Sequence, residues 1–145
     1  MEGKSKSLRT AYKLMPFVLT FLGFAARAEE WVSVWTPPKP ANGGMESFVD
    51  ATSIEVTPEV RRAKWQSVRW VSEEFADNYP LPPNAVSYII VVSTFDCSKE
   101  LMRDEQTTMY MGDGTNNAGV IRPSNWRKPV GATRAVFDFV CKSTH

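Results

Sequence analysis

The chain has 145 residues, of which 43% are hydrophobic and 23% charged, with a formal net charge of +1. This is globular composition at a length that suits one domain. It excludes wholesale disorder and collagen-like or coiled-coil fibres. The single histidine is the last residue, His145, which leaves little room for histidine triads or the commonest zinc chemistry.

The first segment reads as an export leader. Lys4, Lys6, Arg9 and Lys13 face one acid, Glu2, and an apolar run covers residues 14–26. Ala26-Arg27-Ala28 then supplies a small-x-small cleavage site before Glu29. Basic head, apolar middle and small-residue cut make a secretory signal peptide over residues 1–28. A bilayer-spanning helix needs about 20 apolar residues, so this run is too short to be an anchor. No later segment is long and apolar enough to span. Loss of residues 1–28 leaves 117 residues and removes five cations and one acid, taking the net charge to −3. That balance argues against nucleic-acid binding, which depends on neutralising phosphates. The residue after the cut is Glu29, where a bacterial lipoprotein would carry cysteine.

In the mature part, Trp31 to Trp35 alternates and predicts a first strand. A proline- and glycine-rich loop follows over 36–44. Phe48 to Val56, with Val49, Thr52, Ile54 and Val56, predicts a second strand ending at Pro58. Arg61 to Ser72 fits a strand by its Trp, Val and Ser content. The three-residue spacing of Trp65 and Val68 also fits a helix. Asn78 to Asn84, with three prolines, predicts an extended loop.

Val86 to Cys97 is the strongest strand signal. Its nearly continuous apolar run predicts a central strand buried on both faces. Leu101 to Met111 predicts the next strand, and Gly112-Asp113-Gly114 a tight turn that Asn116 to Gly119 prolongs. Val120-Ile121 is read as a short edge strand. Pro129 then opens a C-terminal helix running to Cys141. Ala132, Ala135, Val136, Phe139 and Val140 form its apolar face.

The expected architecture is α+β: an antiparallel β-meander of about five to six strands with the C-terminal helix packed on one face. Cys97 and Cys141, 44 positions apart, form no redox or metal motif. In an oxidising compartment an even count reads as one structural disulfide; a pair of free buried thiols is the other reading.

Four constellations bear on function. Arg61, Arg62, Lys64 and Arg69 interleave with Trp65 and Trp70, which suits a basic-aromatic surface gripping an acidic protein segment or a sulfated glycan. The same pattern fits a strand with its tryptophans in the core and its charges in water. Glu73, Glu74 and Asp77, and Asp96, Glu100, Asp104 and Glu105, are acidic clusters without a recognisable catalytic partner set. Asp113 to Asn117 carries oxygen ligands but lacks the spacing of a calcium loop and reads as a hairpin turn. Serine catalysis needs an activating base: no histidine but the terminal one is available, and nothing points positively to a Ser-Lys dyad. No metal, cofactor or catalytic residue is assigned.

The feature order also resembles the surface-adhesin protein E family of Gram-negative bacteria. It rests on the Trp31–Trp35 strand, Phe48-Val49-Asp50-x-x-Ser53-Ile54, a Trp-rich strand and Phe95-Asp96-Cys97. It continues with Tyr110-Met111-x-Asp113-Gly114, Trp126, Pro129, Gly131 and Cys141. The resemblance covers roughly Trp31 to Cys141. It implies an antiparallel sheet with a helix packed on it, a Cys97–Cys141 disulfide and exposure at the cell envelope. Adhesive members bind host matrix proteins, and some are lipid-tethered through the cysteine that this chain lacks.

The expectation is therefore an exported, non-enzymatic binding protein of the bacterial cell envelope, as monomer or homodimer. It is placed in the periplasm or at the outer-membrane surface, or is secreted. Its partner would be extracellular matrix or another envelope macromolecule. The alternative is a periplasmic structural or stress-related accessory protein without adhesive work. An envelope hydrolase using carboxylates is a distant third.

Overall fold

The computed structural model describes residues 28–38, 43–82, 85–118 and 123–143. The leader expected over 1–28 therefore lies outside the described residues but for Ala28, and so does the edge strand expected at Val120-Ile121.

Among the described residues seven strands build one antiparallel sheet. They are β1 (Trp31–Trp35), β2 (Gly44–Asp50), β3 (Glu55–Val56), β4 (Arg61–Trp70), β5 (Val86–Asp96), β6 (Leu101–Met111) and β7 (Asn116–Ala118). The order across the sheet is β1-β2-β4-β5-β6-β7, with β3 paired to β4 beyond the end of β2. Among the described residues there are also two α-helices, the short α1 (Glu73–Asn78) and the C-terminal α2 (Ala132–Lys142).

Four elements depart from the sequence expectation. The strand expected from Phe48 to Val56 is broken by a 3-10 turn at Ala51–Ser53. Asp50 breaks it, because its Oδ1 accepts hydrogen bonds from the Thr52 amide, the Thr52 hydroxyl and the Glu30 amide. A side chain that bonds its own following backbone competes with the ladder. The chain after the break resumes as β3, on the same edge of β4.

Ser72 starts α1 by accepting the Phe75 amide at 3.2 Å, so a helical turn precedes the proline loop. Asn116 to Ala118 pairs with β6 as β7 and does not prolong the turn. The fourth departure concerns β5, which is central but only partly covered on both faces. Ser93 to Asp96 are buried whichever way they point, whereas Tyr88, Ile90 and Val92 are half-buried on the face away from α2.

The core lies between the sheet and α2. Val49, Ala63, Trp65, Val91, Phe95 and Met102 meet Val136, Phe137 and Val140. Burial of this kind is the main favourable contribution, about 1.5 to 3 kcal/mol per large apolar side chain. Phe137 was not in the expected apolar face, yet it is buried and its ring lies 6.1 Å from that of Phe95. α2 packs across β1, β2, β4 and β5. Gly131 precedes it with a φ of +53°, a conformation that a Cβ disfavours. The Cys97–Cys141 disulfide joins the end of β5 to the last turn of α2.

Candidate functional site

The β4 side chains alternate, so the six candidate binding residues do not share one surface. Arg61, Trp65 and Arg69 project towards the α2 side, and Arg62, Lys64 and Trp70 to the opposite face. Trp65 is core: it is 5% exposed, and its Nε1 donates to Ser93 Oγ at 2.8 Å. Arg61 donates to the Val140 and Ser143 carbonyl oxygens at 2.6 and 2.5 Å. It thereby closes the C-terminus of α2, where the helix dipole favours a cation.

Lys64 pairs with Glu29 and with Asp50, the latter at 3.2 Å, and its ammonium lies 5.6 Å from the Trp31 ring. Burial alone pushes the Asp50 carboxyl up. The hydrogen bonds from Thr52 and Glu30 and the Lys64 ammonium outweigh it and hold the group below the ordinary aspartate range. Burial likewise works against the Lys64 charge, and Glu29 and Asp50 together raise it above the usual lysine value. Arg62 faces Glu55 at 3.7 Å, both side chains being exposed. Arg69 is exposed and makes no ion pair among the described residues.

The acidic residues are similarly dispersed. Asp104 Oδ1 accepts from Ser93 Oγ at 2.8 Å on the α2 side, and its Oδ2 accepts from Arg127 at 2.9 Å. Glu105 points the other way, accepting from Thr94 and Arg103. Glu100 pairs with Arg134 at 3.0 Å. Among the described residues no group of three or more His, Cys, Asp or Glu side chains is placed to hold a metal ion.

A cleft of about 750 Å3 opens at the end of the sheet where β3 turns into β4 and β5 into β6. Its apolar walls are Val56, Pro58, Val60, Leu101 and Trp126, with Arg61, Asp96 and Lys99 among its polar groups. Both turns are internally bonded. Thr57 donates to the Val60 carbonyl through amide and hydroxyl, each at 2.9 Å. Across the cleft, Asp96 accepts from Ser98 Oγ at 2.7 Å and from the Lys99 amide at 3.0 Å, and it pairs with the Lys99 ammonium. The Ser98 bond leads in holding the Asp96 carboxyl low. Cys97 on the floor is tied to α2 by the disulfide.

Trp126 forms the outer wall, and several contacts fix its loop. Met102 and Arg127 exchange a pair of backbone hydrogen bonds at 2.9 Å each. The Arg103 guanidinium lies 4.9 Å from the Trp126 ring centre, a cation–π distance. Through Arg127, Asp104 and Ser93 this loop is bonded to Trp65 in the core. Trp126 nevertheless stays 40% exposed, and Val56, which also lines the cleft, is 51% exposed. The cleft thus combines an apolar lining with charged groups, on turns held by their own hydrogen bonds.

Sequence reading singled out Arg61, Cys97 and the loop carrying Trp126 one at a time, but not the cleft they share. Their adjacency comes from three separate turns meeting at one end of the sheet, a non-local fact that no short motif carries.

No protein-family model matches the chain, and no curated protein matches it. Among solved structures the chain is similar to crystal form II of Haemophilus influenzae protein E, with a TM-score of 0.47 and 15% sequence identity. The match covers 76% of this chain and 96% of that one. The name of that structure is also that of the family the sequence resembles.

Proposed function

We propose that this chain is an exported, non-enzymatic binding protein of the bacterial cell envelope that holds a macromolecular partner in the Val56–Trp126 cleft. The carrying observation is that cleft: two apolar side chains, Val56 at the end of β3 and Trp126 on its hydrogen-bonded loop, line it while 51% and 40% exposed. Exposed apolar residues gathered in a concavity mark binding surfaces more often than scattered ones do. The partner class is extracellular matrix or another envelope macromolecule, and Arg61 is the member of the β4 set that borders the cleft. The basic, apolar and Ala-x-Ala order of residues 1–28 supports export, as does a disulfide, which persists in oxidising compartments.

Intact-mass analysis of the exported protein should show loss of residues 1–28 and of two hydrogens; a retained leader or free thiols would overturn export in this form. Protease treatment of intact and lysed cells then separates two locations. Digestion on intact cells, with binding to solubilised basement-membrane extract that Trp126→Ala weakens at least tenfold, is the expected result. Protection until lysis would favour the second reading, a periplasmic accessory protein. Glu29 in the position where a lipoprotein needs cysteine already supports that reading. Extract binding unaffected by Trp126→Ala would remove the cleft from the function.

A further inference from the structure

A second, smaller cavity of about 110 Å3 lies beneath α1, lined by Arg69, Val71, Ala76, Tyr79, Leu81 and Ser87. It sits at the far end of β4 from the Trp126 cleft, eight residues along a strand that rises about 3.3 Å per residue. Its walls are aliphatic and aromatic: Val71 and Leu81 are half-buried, as is Ala76 on α1. Tyr79 is 67% exposed and its ring stacks on that of Phe75 at 4.8 Å, forming the outer lip.

Only Arg69 and Ser87 bring polar side chains of hydrogen-bonding donors from the sheet. The β4–β5 ladder ends at Val68 and Tyr88, and the next residues on the two strands, Arg69 and Ser87, both line the cavity. Among the described residues neither side chain is engaged in a hydrogen bond or ion pair. This contrasts with Arg61, Arg62, Lys64, Arg103, Arg127 and Arg134, each of which is committed to a carboxylate or carbonyl oxygen.

We infer that this pocket binds a carboxylate carrying a compact branched aliphatic group, with Arg69 and Ser87 taking the carboxylate and the Val71–Ala76–Leu81 walls taking the apolar end. Charge complementarity selects the anion. A guanidinium offers a planar fork that matches a carboxylate through two parallel hydrogen bonds, and the serine hydroxyl adds a third donor. Volume selects the apolar group. A cavity of roughly 150 Å3 holds benzene, so this smaller one suits a branched chain of about four carbons. Two sources carry that chemistry: a small free acid, and the C-terminal leucine or valine of a peptide.

The test is a titration of the exported, 15N-labelled protein followed by amide chemical shifts. The probes are isovalerate, isovaleramide, and the peptide Gly-Gly-Ala-Leu as free acid and as C-terminal amide. At least one acid should give saturable shifts confined to the end of β4, α1 and the start of β5, and its amide should bind at least tenfold more weakly. Saturation by isovalerate identifies a small acid as sufficient. Saturation by the peptide acid alone identifies a chain terminus. Arg69→Gln should weaken binding at least tenfold, Arg69→Lys should restore part of it, and Ala76→Leu should block it by filling the cavity. Absence of saturable shifts with both acids, equal binding of acid and amide, or an unaffected Arg69→Gln variant would overturn the inference. Trp126→Ala should leave this titration unchanged, so its outcome is independent of the Trp126 cleft.

Discussion

Arg61 and Arg69 are the same residue type on the same face of the same strand, yet the two ends of β4 treat them in opposite ways. At the Arg61 end, α2 comes down onto the sheet, the disulfide closes over it and the guanidinium is consumed by two helix carbonyls. At the Arg69 end the sheet runs past α2, and among the described residues the short α1 and its loop approach. Among the described residues, no hydrogen bond or ion pair holds the cation there. Charge on a strand is therefore not a property to be read as binding or structural in itself. Its role depends on which element lies over that end of the sheet.

Removing the disulfide is the strongest way to break the contrast. Cys141→Ser should cost about 4 kcal/mol by loop-closure reasoning for a 44-residue separation, with a melting temperature lower by roughly 15 °C. An unchanged melt would mean that α2 is held at this end without the bridge. Arg61→Ala comes next, at about 1.5 kcal/mol, because the last carbonyls of α2 lose a charged donor. Arg61→Lys should recover only part of that, since both bonds come from Nη1, which lies one bond further from the backbone than a lysine Nζ. Both values are measured by urea unfolding.

Acid sharpens the contrast by testing the Asp50–Lys64 pair on the opposite face. The Asp50 carboxyl is held below its ordinary value of 3.8 in the folded chain. Its contribution is therefore fully present above that value and is lost as pH falls through the depressed folded value. The melting temperature should be flat between pH 5 and 7 as far as this group is concerned and should fall below about pH 4. Asp50→Asn should flatten that acid limb; an identical limb in the variant would assign the acid sensitivity elsewhere. The smallest effect belongs to Arg69→Ala, within about 0.5 kcal/mol in the same urea experiment. A loss there as large as that of Arg61→Ala would erase the distinction between the two ends.

Much of the framework was legible beforehand because it is written in local periodicity. The bounds of β1 and β6 match the expected strands, and β5 stops one residue short, at Asp96. Period-two alternation in β4 overrode the helical spacing of Trp65 and Val68. The break in β2 was not legible, since Thr52, Ile54 and Val56 favour a strand. What decides against one is an Asp50 side chain that gathers the Glu30 amide from across the β1 edge. The first turn of α1 was masked by the prolines after it, although Ser72 ahead of Phe75 is a capping signal. Of the candidate binding residues, sequence pattern grouped six on one strand, and alternation then divided them between two faces.

Sequence alone determined the alternation of the long strands, the apolar face of α2, the tight turn at Gly112–Gly114 and the presence of two cysteines outside the leader pattern. These depend on neighbours a few residues apart, which the chain carries wherever it is placed. Tertiary structure decided which face of the sheet is covered, that Trp65 is core and Trp126 a wall, and that Arg61 closes a helix while Arg69 is left uncommitted. Each of those outcomes depends on residues brought together from tens of positions away, where the covering element determines the duty of each side chain.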